Sequence, residues 1–131
     1  TSCKGWNFCP QICYDLRFPV WNRNRNDYDC LIIVANWPEK RNEPWKLLLQ
    51  ARAIENLSYV VGVNRVGYDG NGTYHSGDSS VVDPSGKILY HIKDTESVHT
   101  IEFSKSNLEV FKQSFPAHLD GDGFTFNMPP D

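Results

Sequence analysis

The chain is 131 residues long, which is room for one domain or a large part of one. Hydrophobic residues make up 40% and aromatics 13%, a composition that supports a packed core and excludes a disordered tract. A net charge of -3 with scattered basic residues lacks the electrostatic footprint of a nucleic-acid binder, and no apolar run reaches the roughly 18 residues of a membrane-spanning helix.

Gly5 to Cys13 reads as a strand through Trp6, Phe8 and Ile12, with Pro10 fitting only an edge or a bulge. A short helix is expected from Arg17, then a polar loop over Asn22 to Asp27. Tyr28 to Ala35 is a continuous apolar run, which predicts a strand buried on both faces. Pro44 to Asn56 predicts a helix, with Pro44 in its first turn and Trp45, Leu48, Leu49 and Ala53 at helical spacing. Leu57 to Asn64 is a second buried strand, so Tyr28 to Asn64 has the strand–helix–strand pattern of an α/β layer.

Gly67 to Gly77 is polar and rich in glycine, and reads as a long connection. Ser79 to Asp83 and Ile88 to Ile92 form a predicted hairpin around Pro84 to Lys87. Ser97 to Phe103 reads as another strand. Ser106 and Glu109 have the spacing of a capping box that opens a last short helix. Beyond Pro116 the tail turns acidic and ends in Pro129, Pro130 and Asp131. Two or three helices are too few to cover both faces of two sheets, which suggests an incomplete domain or one that pairs with a partner.

Of the four cysteines, Cys3, Cys9, Cys13 and Cys30, no two have C-x-x-C spacing, so no metal centre is expected. Cys9, Cys13 and Cys30 lie in apolar runs, and Thr1 to Trp6 has no secretory pattern. Reduced thiols and a cytoplasmic protein are therefore expected. Thr1 stands where a complete chain carries Met, so the native start is expected upstream.

Cys13 ends a strand just where the chain turns through polar residues into a helix start. Such a turn can expose a nucleophile and aim backbone N–H groups at it, as acyl transfer requires. The other reading is a small core residue. A papain-like base is not evident: His75 lies in the polar connection, His91 and His99 alternate with apolar residues, and His118 is remote in sequence. Arg17, Arg52 and Glu55 are charges among apolar neighbours; an ion pair holding a helix to the sheet is expected in preference to a substrate-binding role. Trp37 follows a buried strand, where both a pocket wall and plain core are open. Ser79 lacks the glycine of a nucleophile elbow and is set aside.

Five segments in this order resemble the carbon–nitrogen hydrolase (nitrilase) superfamily, its omega-amidase branch most of all. They are Cys13 to Pro19, Ala35 to Pro38, Arg52 to Asn56, Asn64 to Gly67, and Gly77 to Ser79 with Pro84 and Gly86. The resemblance runs from about residue 5 to about residue 115. It implies half of a four-layer α-β-β-α sandwich, and amide hydrolysis by a Glu–Lys–Cys triad through a thioester. Cys13 matches the nucleophile, the Tyr14 backbone N–H one oxyanion donor, and Trp37 the lining of the acyl pocket. Substrates implied are small dicarboxylic acid monoamides such as 2-oxoglutaramate. No cofactor, metal, nucleic-acid or membrane partner is implied, and a homodimer is.

The triad Glu and Lys precede the Cys motif in this family. Only twelve residues precede Cys13 here, and Lys4 is too close to match. Residues 1–131 are therefore expected to be the C-terminal portion of one hydrolase domain, its N-terminal half absent, and inactive alone. Glu39, Glu43 and Glu55 are not promoted to the base. A non-catalytic module of the same fold is the alternative.

Overall fold

The computed structural model describes residues 1–125 and 127; Pro129, Pro130 and Asp131 lie outside the described residues. Its strands are β1 (Ser2–Cys3), β2 (Trp6–Ile12), β3 (Cys30–Ala35), β4 (Tyr59–Asn64), β5 (Val66–Tyr68), β6 (Tyr74–Val82) and β7 (Ile88–Lys93). Its α-helices are α1 (Pro19–Asn22), α2 (Asn42–Asn56) and α3 (Lys105–Ser114). The sheet order is β1-β2-β3-β4-β6-β5, with β7 also paired to β6. β2, β3 and β4 are parallel, and the remaining pairings are antiparallel.

The strand–helix–strand expectation holds: β3 and β4 pair in parallel with α2 between them in sequence. Leu31 and Ile33 of β3 and Val60 of β4 pack with Trp45, Leu49 and Ala53 of α2 in one core. Gly62 explains how closely α2 approaches. A Cβ there would lie 2.5 Å from Leu49 Cδ1 and 2.9 Å from Trp45 Cζ2, so only glycine fits.

The opposite face of the sheet is covered at one end only. Cys30 and Tyr59 are buried there beneath Leu108 of α3, with Trp6, Phe8 and Phe103 around them. The ladder register places Ile12, Val34 and Val63 side by side in one cross-strand row at the other end. They are 68%, 50% and 48% exposed. The expectation of strands buried on both faces is thus corrected for this row, because α3 spans only the Cys30 and Tyr59 end.

Pro10 sits where its missing N–H costs no ladder bond. β1 pairs with β2 only through Trp6 and Asn7, which leaves the outer side of Pro10 unpaired. The hairpin of β6 and β7 is as expected, closed by hydrogen bonds from Gly86 N to Asp83 O and from Asp83 N to Lys87 O.

Three expectations are corrected. Gly67 to Gly77 is mostly strand, with only a short turn around Asp69, whose carboxylate accepts from the Asn71 and Thr73 N–H groups. Those two N–H bonds hold the Asp69 carboxyl below the usual range. Ser97 to Phe103 is not a strand: it crosses the sheet face, with His99 stacked on Tyr90 and Phe103 on Tyr59, and forms no ladder. The last helix starts earlier, because Ser104 rather than Ser106 caps it by accepting from the Asn107 N–H.

Candidate active site

β2 ends at Ile12, and a 3-10 turn runs from Cys13 to Arg17. Cys13 opens that turn with φ +44°, a left-handed conformation costly for a residue with a Cβ. Several contacts hold it. Ile12 N–H donates to Asp15 Oδ2 at 2.9 Å. Asn22 Nδ2 donates to Asp15 O at 2.8 Å, and Arg52 Nη2 to Leu16 O at 2.5 Å. Tyr14 is the second residue of that turn, where an N–H precedes the first bonds of the turn, which suits a group expected to serve an oxyanion.

Beside this turn lies a cavity of about 410 Å³ at the carboxyl ends of β2 and β3, lined by Cys13, Tyr14, Arg17, Asn36, Trp37 and Arg41 among others. Cys13 is half-buried and touches the core on its inner side. Trp37 resolves its two readings by being both: it is 3% exposed and packs on Trp45, yet it lines the cavity. Its indole N–H donates to Arg41 O at 2.6 Å, and Asn64 clamps its backbone, accepting from the Trp37 N–H and donating to its carbonyl.

Two arginines, Arg17 and Arg41, line this cavity. Arg17 lies over the Trp37 ring at 4.8 Å from its centroid, and neither Arg17 nor Arg41 has a carboxylate partner among the described residues. The sequence reading placed Arg17 in a structural ion pair. The structure corrects this, because Trp37 takes that side of the guanidinium and no carboxylate among the described residues lies within 4.0 Å of it. Nothing in the sequence marked Arg41; its position four residues after Trp37, at the end of a helical turn, is the only signal. Arg52 pairs with Glu55 at 3.0 Å within α2, and its link beyond that helix goes to a carbonyl of the Cys13 turn.

The histidines stay away from Cys13. His75 is buried within β6, not in a loop; His91 Nε2 meets Asp78 Oδ1 at 2.8 Å; His99 stacks on Tyr90. His118 lies in the short turn Ala117–Leu119. Ser79 Oγ exchanges hydrogen bonds with the Asn64 backbone and is structural. Glu43 pairs with Lys46, Glu55 with Arg52, and neither they nor Glu39 line the cavity. A larger hollow of about 750 Å³ lies across the open sheet face against the 95–103 segment and contains no cysteine. Among the described residues no His, Cys, Asp or Glu cluster could hold a metal ion, and no helix is long and apolar enough to cross a membrane.

The Carbon-nitrogen hydrolase family profile matches residues 1–113. "Omega-amidase YafV" of Escherichia coli is 49% identical over 122 residues, covering 92% of this chain and 48% of that protein. "2-oxoglutaramate amidase" of Bacillus subtilis is 35% identical over 111 residues, covering 83% of this chain and 42% of that protein. The crystal structure of XC1258 from Xanthomonas campestris, a CN-hydrolase superfamily protein with an arsenic adduct in its active site, superposes with a TM-score of 0.95. It is 47% identical and covers 97% of this chain and 51% of that one. The fold is therefore the nitrilase-like α/β fold, and the chain spans about half the length of the relatives it matches.

Proposed function

This chain belongs to the carbon–nitrogen hydrolase family, and from that premise we propose that it carries the nucleophile of an omega-amidase-like hydrolase. The observation that supports this most is Cys13 at the mouth of a cavity, held at φ +44° beside the Tyr14 N–H and two unpaired guanidinium groups. In this reading Cys13 Sγ attacks the amide carbon, and the carbonyl oxygen becomes an oxyanion bound by the Tyr14 N–H. The C–N bond then breaks, and the nitrogen leaves as ammonia with an added proton. Water attacks the resulting thioester, the C–S bond breaks, and the acid departs with Cys13 restored.

The first step needs a base for the thiol proton, and the ammonia needs a proton donor. No Glu or Lys lines the cavity among the described residues. The reading therefore assigns both to a preceding segment of the same hydrolase domain, of which residues 1–131 are the C-terminal portion. Arg17 and Arg41 favour amides with a distant carboxylate, since an anionic group would offset two unpaired cations. Small dicarboxylic acid monoamides have that form.

Ammonia release from succinamate by the protein in which this chain occurs tests the reading. Cys13→Ala is expected to abolish it while leaving the circular dichroism spectrum unchanged. Turnover near normal in that variant overturns the assignment. No turnover in the unaltered protein favours the non-catalytic module.

A further inference from the structure

We infer that Arg52 is a positioning residue for the nucleophile turn, an inference that rests on the assignment of Cys13 above. Arg52 lies on α2, is 3% exposed and never lines the cavity. Its Nη1 meets Glu55 at 3.0 Å, its Nη2 donates to the Leu16 carbonyl at 2.5 Å, and its Nε is buried without a partner. A buried guanidinium with an orphaned N–H is a poor device for packing alone, since an apolar side chain of similar volume would fill the same space without desolvating a charge. What the arginine adds is a charged donor aimed at one backbone carbonyl thirty-six residues away in sequence.

That carbonyl belongs to the peptide joining Leu16 to Arg17. Fixing it does two things at once. It sets the backbone of Arg17, whose guanidinium lies over Trp37 on the cavity wall. It also closes the 3-10 turn that begins at Cys13. A non-glycine residue at positive φ persists only where its surroundings over-determine it. Here those restraints are Asp15 on the Ile12 N–H, Asn22 on the Asp15 carbonyl, and Arg52 on the Leu16 carbonyl. Arg52 alone among them comes from another layer of the fold, so it couples the conformation of Cys13 to the seating of α2 on the sheet. Lysine cannot replace it, because a single ammonium lacks the fork that serves Glu55 and the carbonyl together.

Competitive labelling with iodoacetamide, read site by site by mass spectrometry, tests this without relying on turnover. Cys13 and Cys3 report reactivity, and fully buried Cys30 reports whether the core is intact. In the unaltered protein Cys13 is expected to react faster than Cys3. Arg52→Lys is expected to slow Cys13 about tenfold or more, the scale of losing a charged hydrogen bond, with Cys3 unchanged and Cys30 still protected. Arg52→Gln, which leaves no buried charge, serves as the second variant and is expected to behave alike. A fast Cys13 in the unaltered protein that stays within twofold in a variant with Cys30 protected overturns this inference alone. Labelling of Cys30 in both variants also overturns it, because Arg52 would then hold the core and not the turn. A Cys13 no faster than Cys3 in the unaltered protein overturns the nucleophile assignment and this inference with it.

Discussion

Arg17 owes its place to Trp37, twenty residues further along the chain. An aromatic face satisfies one side of the guanidinium and leaves its donors to the cavity. Arg17→Met keeps most of the stem and removes the charge. It is expected to lower kcat/KM about tenfold or more for succinamate, and far less for a neutral amide of equal length, as steady-state kinetics would show. Cys30 illustrates the opposite situation, a thiol with no role at the surface. Burial pushes its pKa from 9.0 up to about 12. The unfolded thiol ionises first as pH rises, so the stability tied to the neutral form is complete below pH 9 and is lost between there and about pH 12. Tyr28, also raised by burial, adds to that loss above its ordinary 10.0. Urea midpoints are expected to fall above pH 9, and less steeply in Cys30→Ala. At this scale the sequence singled out Cys13 and Trp37 through their motifs. It marked Arg17 without settling its role and left Arg41 unmarked, because an unpaired cation looks like any other until the fold shows which groups stand beside it.

The elements that were legible are those whose burial is apolar. β3, α2 and β4 announced themselves because Leu31, Ile33, Leu49 and Val60 form one core. The first half of β6 did not, because the groups it buries are polar: His75, Ser76 and Asp78. Their needs are met within the strand region, by α2 and by β7: Asp78 accepts from Ser76, Asn42 and His91, and His75 meets the Thr73 carbonyl. A strand that satisfies polar groups internally reads like a loop in sequence. The 97–103 segment fails in the other direction. Its alternation is real, with Ile101 and Phe103 turned to the sheet face, but alternation without a ladder partner makes no strand. Packing of α2 on the sheet is the tightest constraint at this scale. Gly62→Ala is expected to destabilise the protein by about 1–3 kcal/mol, because the Leu49 and Trp45 side chains must move aside. Urea denaturation measures it, and a loss within error would show that α2 can shift freely.

Over the whole molecule the sheet is unevenly covered. The row of Ile12, Val34 and Val63 ends beside Cys13, so the uncovered face and the cavity share a border. The sequence hinted at this through its shortage of helices, but the location of the gap depends on how far α3 reaches, which no local pattern encodes. Pro10 bears on the same part of the fold. Past Phe8 the outer margin of β2 has no neighbouring strand among the described residues. A sheet margin of this kind recruits strands from other copies when its donors form an unbroken row. Proline interrupts that row in the middle of an otherwise apolar stretch. Pro10→Val is expected to shorten the lag of thioflavin-positive assembly at constant native stability, as concentration-matched kinetics would reveal. The residue that sits awkwardly in a strand thus leaves a gap in the row of donors at the margin that ends at Cys13.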